Sequence, residues 1–171
     1  MKEIYLAGGC FWGIEEMFRG ADGVISTQCC YVNGDSRLIP DYMLVCSGKF
    51  GYREAVRVEY DPGVLPLERI LEAFFMAIDP EQGNGQGNDI GTQYHTGVYW
   101  TDAESEHAVR EFMSEESGKH REFHTECGPL MSFSPAEDGH QKYLMRNPSG
   151  YCHISRGQMD AVKGLLRRSV R

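Results

Sequence analysis

Apolar positions along the chain switch between an every-second and an every-third-or-fourth spacing, so short strands alternate with helices. Residues 3–7 (EIYLA) read as a strand, and Phe11–Arg19 carries Phe11, Ile14, Met17 and Phe18 at near-helical spacing. Residues 24–32 (VISTQCCYV) return to a strand. Residues 54–60 (EAVRVEY) alternate cleanly and stop at the turn Asp61-Pro62-Gly63. A helix follows from Leu67 to Ile78, with Ile70, Leu71, Phe74 and Phe75 on one stripe. Residues 95–101 (HTGVYWT) are a strand, and 103–116 form an acidic amphipathic helix with a solvated face. A weaker strand near 123–131 and a helix near 137–146 complete the pattern.

The first six elements run β-α-β-β-α-β. That order predicts an α+β two-layer sandwich with a ferredoxin-like core, a mixed sheet and a long C-terminal extension. Residues 79–94 (DPEQGNGQGNDIGTQY) form a glycine-rich loop, and a loop of that length in a compact domain usually carries function. After Ile154 a basic tail over 155–171 places Met159, Val162, Leu166 and Val170 at helical spacing, suited to docking on the same domain. With no repeat, linker or low-complexity segment, the expectation is one domain over 1–171.

Composition narrows the partners. The 171 residues are 41% hydrophobic, enough for one core. A net charge of −8 argues against nucleic acid or an anionic membrane as partner. No apolar run approaches the ~20 residues of a membrane span. The start, MKEIYLAGG, lacks the long apolar stretch of a secretory signal, so a cytoplasmic, monomeric protein is expected. Its six cysteines (Cys10, Cys29, Cys30, Cys46, Cys127 and Cys152) are then thiols rather than a disulfide framework. None forms a CxxC pair, which disfavours a thioredoxin-type motif and a zinc ribbon. His120-x3-His124-x2-Cys127 lacks the usual four-ligand set, so neither metal nor cofactor is expected.

Cys10 has the most telling setting. Gly8-Gly9 end the first strand and Phe11 begins the first helix, so Cys10 stands at a helix N-terminus. The helix's positive end and its free N–H groups favour thiolate there. Phe11 and Trp12 can wall an apolar pocket beside the sulfur. Taken alone, Cys10 reads first as a small buried hydrophobe. Its place at a strand-to-helix turn favours a nucleophile.

Several motifs, in order along nearly the whole chain, resemble one family. Gly9-Cys10-Phe11-Trp12-Gly13 is similar to the signature of the peptide methionine sulfoxide reductase A family. The resemblance continues through Pro40-Asp41-Tyr42, Val45-Cys46-Ser47-Gly48 and Val58-Glu59-Tyr60-Asp61-Pro62. It includes Gln86 to Tyr94 (QGNDIGTQY), Ser134-Pro135-Ala136-Glu137, His140-Gln141, and Asn147 to Ile154 (NPSGYCHI).

The resemblance implies thiol-dependent reduction of the S epimer of methionine sulfoxide, in oxidised proteins or peptides or as the free amino acid. Cys10 would be the nucleophile, and Glu54 the acid that protonates the departing oxygen. Tyr42 and Tyr94 would donate O–H groups to that oxygen, with Asp89 orienting the site behind them. Phe11 and Trp12 would hold the S-methyl group. Cys152 would condense with the Cys10 sulfenic acid, and thioredoxin or a similar dithiol would reduce the disulfide. Cys29, Cys30, Cys46 and Cys127 would be structural, although one of the adjacent pair Cys29-Cys30 should point outward.

Without the resemblance these residues read more plainly. Glu54, alternating with Ala55 and Arg57, suggests a solvent-facing carboxylate. Tyr42 and Tyr94 suit ordinary half-buried tyrosines, Asp89 a turn cap and His140 a surface helix residue. The chain also departs from the family pattern at Phe50, Tyr52, Ile78 and Gly85, and has Asn33 where a glycine is usual. A thiol peroxidase or redox sensor using Cys10 and Cys152 is one alternative. A non-catalytic sulfoxide-binding module and a cysteine-dependent acyl transferase are others, the last lacking an obvious histidine base.

Overall fold

The computed structural model describes residues 1–167. The chain runs β1 (Lys2–Ala7), α1 (Phe11–Phe18), β2 (Val24–Val32), α2 (Tyr42–Cys46), β3 (Arg53–Tyr60) and α3 (Leu67–Ala77). There follow the short strands β4 (Gly85–Gln86) and β5 (Asp89–Ile90), a 3-10 turn at Thr92–Tyr94, β6 (Gly97–Trp100) and α4 (Ala103–Ser117). The C-terminal part supplies β7 (Glu126–Pro129), β8 (Phe133–Pro135), a 3-10 turn at Asp138–His140, α5 (Tyr143–Arg146) and α6 (Arg156–Leu166). Among the described residues no helix is long and apolar enough to cross a membrane.

Six strands form one mixed sheet in the order β7-β6-β1-β3-β2-β8. Every pairing is antiparallel except β6 with β7. Side-chain alternation gives the sheet two different faces. Ile4, Leu6, Cys29, Tyr31, Val56, Val58, Val98 and Trp100 share a core with apolar residues of α1, α3, α4 and α6. Tyr5, Ala7, Cys30, Val32, Ala55 and Tyr99 form a smaller cluster on the opposite face. There Phe133 meets Tyr5 edge-on at 5.7 Å. The expected outward cysteine of the Cys29-Cys30 pair does not occur. The two do point to opposite faces, but both faces are covered and each residue is 0% exposed.

The helix expected near 137–146 is broken in two. Gln141 turns its side chain onto β2, accepting from the Cys29 N–H (2.8 Å) and donating to the Cys29 carbonyl (2.8 Å). Lys142 then takes a left-handed conformation (φ 52) and donates its N–H to the buried Glu15 carboxylate. A helix through these residues would forfeit both links. In the C-terminal tail, Ser155 and Gln158 make a reciprocal capping box that starts α6. Val162 and Leu166 are buried against the domain, whereas Val170 lies outside the described residues.

Two departures from the family pattern have structural explanations. Tyr52 is buried, and its hydroxyl donates to the carbonyls of Asp35 and Leu38, pinning the loop before α2. Its ring lies so close to Gly34 that a Cβ there would overlap ring carbons. Asn33 adopts φ 56, where glycine is usual, and its side-chain oxygen accepts from Met131 N–H at 2.7 Å. We expect Gly34→Ala to cost about 1–3 kcal/mol through overpacking, read as a lowered Tm. An unchanged Tm would show that Tyr52 does not hold this loop as described.

Candidate active site

The site collects at the ends of β1, β3 and the glycine-rich loop. Gly9, at φ 83, makes the sharp exit from β1, and Cys10 is the N-cap of α1. Gln86 is buried and stitches the loop together. Its side-chain oxygen accepts from Asp79 N–H at 2.7 Å, and its amide donates to the Asp79 carbonyl at 2.7 Å. Gly85, where the family usually has arginine, cannot carry a side chain here, because a Cβ would collide with the Asp89 carbonyl.

Glu54 is buried, not solvent-facing. Residues 54, 56, 58 and 60 share one face of β3, and Val56, Val58 and Tyr60 put that face in the core. Its Oε1 accepts from the Phe11 N–H at 3.3 Å, while its buried Oε2 has no partner. Burial raises its pKa to about 8, against the pull of the Phe11 N–H; the charges of Asp89 and Glu137 add to the rise. At neutral pH it is therefore mainly a carboxylic acid.

Cys10 corrects the expectation of a low thiol pKa. Burial pushes the thiol well up, Glu54 and Asp89 push in the same direction, and the Trp12 backbone N–H pulls only partly against them. No cation among the described residues counters burial at the sulfur. The resting thiol is protonated.

The expected hydroxyl donors converge on the same place. Burial raises the Tyr94 phenol, and Glu54, Tyr42, Cys10 and Asp89 all act on it electrostatically. Tyr42, on the first turn of α2, is pushed up to about 12 by the neighbouring Cys46 thiol and then by partial burial. Both remain neutral donors. Asp89 on β5 accepts from the Tyr151 hydroxyl at 2.9 Å.

Phe11 and Trp12 divide the aromatic surroundings. Phe11 is buried, with its ring centroid 5.8 Å from Tyr31 and 5.2 Å from His140. Trp12 is half-buried and stacks on Tyr143 at 3.7 Å. Its indole N–H donates to His140 Nδ1 at 3.2 Å. His140 is no surface residue. Tyr42 packs against it at 5.0 Å, and burial lowers its pKa, so the ring is neutral and fit to accept that bond. Glu137 joins the frame to α2 by accepting from Tyr31 O–H (2.9 Å) and Tyr42 N–H (3.1 Å).

Cys152 comes from the C-terminal part of the chain, near enough to Cys10 to act on that thiol electrostatically. Its sulfur lies over Gly13, 3.0 Å from where a Cβ would stand. His153, next in the chain, points toward Gly9, and both of its buried ring nitrogens lack partners. Sequence reasoning did not single out Glu15, Tyr151, His153 or Gln86 as site residues. All four lie inside or beside the motifs quoted above, but Glu15 and Tyr151 take their partners from distant segments, Lys142 and Asp89.

Comparison with known proteins agrees with the arrangement. The family model for peptide methionine sulfoxide reductase matches residues 2–165. Peptide methionine sulfoxide reductase MsrA of Clostridium acetobutylicum is 46% identical over 155 residues, covering 90% of this chain and 95% of the relative. The crystal structure of Mxr1 from Saccharomyces cerevisiae in reduced form superposes with a TM-score of 0.85 at 33% identity, covering 90% of this chain and 91% of that one. Mxr1 in complex with Trx2 shares the fold at a TM-score of 0.58 and 23% identity, covering 83% and 84%. With the signature cysteine, the buried acid and the glycine-rich loop all in place, the chain belongs to the peptide methionine sulfoxide reductase family.

Proposed function

We propose that this protein reduces the S epimer of methionine sulfoxide in proteins and peptides, with Cys10 as nucleophile and Glu54 as proton donor. The observation that carries this reading is the Glu54 carboxyl. It is buried and neutral, held through Oε1 by the N–H of the residue after Cys10, and has a free Oε2. A sulfoxide oxygen is a strong acceptor of the kind such a group can serve.

The reaction balances within the site. The Cys10 sulfur bonds to the substrate sulfur and the sulfur–oxygen bond breaks, the oxygen leaving as water with one proton from Glu54 and one from the Cys10 thiol. Water then bonds to the Cys10 sulfur, and the Cys10–substrate sulfur bond breaks with its electron pair on the substrate, which leaves as a thioether while Cys10 becomes a sulfenic acid. The proton that this water gives up restores Glu54, so no net proton is consumed. Tyr42 and Tyr94 donate to the oxygen as charge grows on it, and Asp89 orients them with Tyr151. Phe11 and the Trp12 ring, braced by Tyr143 and His140, receive the S-methyl group.

Cys152 then displaces hydroxide from the sulfenic sulfur, water leaves, and a Cys10–Cys152 disulfide forms. A dithiol reductant returns both thiols, as the Mxr1 complex with Trx2 suggests for a relative. We read the chain as one domain acting as a monomer, and its six cysteines suit a reducing compartment such as the cytoplasm.

Turnover of each epimer of a blocked methionine sulfoxide, with dithiothreitol as reductant, tests the assignment. We expect the S epimer to be consumed and the R epimer left. Equal or faster loss of the R epimer, or no loss of either, would overturn it.

A further inference from the structure

Glu15 is a buried carboxyl group that the reaction above does not use. It is 2% exposed and stands three residues after Trp12 on α1, so the two side chains share one side of the helix. Its Oε1 accepts from the Lys142 N–H and, at 3.5 Å, from the Cys29 thiol. Its Oε2 is buried and has no partner among the described residues. Leaving a polar atom unpaired in a core is unfavourable, and an apolar side chain of similar size would fill the space without one. The carboxyl group at this position therefore directs attention to what Oε1 holds.

It holds a bend. Lys142 lies at φ 52, ψ 37, a left-handed conformation that crowds the Cβ of an L-residue. Such a conformation persists only where the surroundings over-determine it. Gln141 fixes the chain just before the bend through both backbone groups of Cys29, at 2.8 Å each. The direction of the next N–H, that of Lys142 itself, is fixed by Glu15. The bend separates the 3-10 turn that ends at His140 from α5, which begins at Tyr143. Both sides of it meet Trp12. His140 takes the indole N–H at 3.2 Å, and Tyr143 lies on the ring face at 3.7 Å and 12°. The angle between the two elements thus sets the plane of the indole.

We propose that Glu15 is a positioning residue for substrate selection: by holding the left-handed bend at Lys142 it fixes how Tyr143 lies on Trp12, and so how closely the Trp12 ring fits the S-methyl group. The proposal rests on the reading that Trp12 receives that group. Glu15 makes no hydrogen bond to Cys10, Glu54, Tyr42 or Tyr94 among the described residues, so its influence falls on the fit of the methyl group rather than on proton transfer.

The test uses the S-methyl and S-ethyl sulfoxides of one blocked amino acid, with the full chain and dithiothreitol. Glu15→Met keeps the length of the side chain and loses the acceptor; Glu15→Gln keeps an oxygen for the Lys142 N–H. In Glu15→Met the methyl-over-ethyl preference in kcat/KM should fall by on the order of tenfold, carried by a higher KM for the methyl substrate with kcat changed much less. Glu15→Gln should keep the preference. Adding Lys142→Gly to Glu15→Met should bring most of it back, because glycine holds the bend without an anchor. The Lys142 side chain is exposed, so the bend can also be opposed without disturbing the core. Lys142→Val, whose branched Cβ resists positive φ, should lower the preference as Glu15→Met does. A wild-type preference in Glu15→Met or in Lys142→Val, an equal loss in Glu15→Gln and Glu15→Met, or no recovery in the double variant would each overturn the role of Glu15. Equal use of the two substrates by the wild type would instead overturn the reading of Trp12 as the methyl wall, and this proposal with it.

Discussion

Glu54→Gln is expected to slow the sulfoxide-reducing step by on the order of 100-fold or more, about 2.7 kcal/mol or more in barrier. The substitution keeps the shape of the side chain and keeps an oxygen to accept from the Phe11 N–H. What it removes is the acidic proton at the unpartnered Oε2. Substrate binding, which rests on the aromatic wall and the two tyrosines, should change much less. A single-turnover rate equal to wild type would remove Glu54 from the mechanism.

The same carboxyl dictates the pH dependence. Its pKa is raised to about 8, so it holds its proton through the neutral range and loses it above that value. Cys10 is pushed up further still, so as pH rises the first proton lost from the pair is the one on Glu54. The first step should therefore be flat below about pH 8 and fall above it, and Glu54→Gln should erase that fall. Thiolate is not supplied by titration of the free enzyme. On the proposed mechanism it forms only once substrate is bound, as Glu54 gives its own proton to the oxygen.

This pairing was only partly legible in the sequence. The parity of β3 was already informative. Val56, Val58 and Tyr60 mark a core face, and Glu54 lies two residues before Val56 on that face, so a buried carboxyl followed from spacing alone. The comparison with Ala55 and Arg57 picked out the wrong neighbours. The helix N-terminus at Cys10 was equally legible, but its effect on the thiol was not. Burial and the charges of Glu54 and Asp89, contributed by β3 and β5, outweigh it. Periodicity also could not show the break in 137–146, since what breaks that helix is a side chain of β2's neighbour, Gln141, bonding to Cys29 more than a hundred residues away. Tyr52 illustrates the opposite case. It is a departure from the family pattern beside Glu54, yet its side chain turns away to Asp35 and Leu38 and fills the space that Gly34 leaves.

Cys152→Ser should leave one full round of sulfoxide reduction intact and abolish recycling by thioredoxin. In the reduced protein the Cys152 sulfur rests over Gly13, three residues on from Cys10, and the two thiols are not bonded. A disulfide needs the two Cα atoms within about 7 Å and their side chains facing each other. The segment is anchored on either side of Cys152: Tyr151 donates to Asp89 at 2.9 Å, and the His153 ring is buried against Gly9. Asn147 to Gly150 is a turn with exposed side chains at Asn147, Pro148 and Ser149, so the approach to Cys152 can reshape at little cost. Once Cys10 is a sulfenic acid, moving Cys152 toward it gains a covalent bond and releases water. In Cys152→Ser that capture is lost, the sulfenic acid persists, and one equivalent of thioether per enzyme is the limit when thioredoxin is the only reductant. Peptide mapping of the wild type after a single turnover provides the direct check. A bridge from Cys10 to Cys46, the exposed cysteine on the rim beside Tyr42, or to any cysteine other than Cys152, would show that the resolving thiol lies elsewhere.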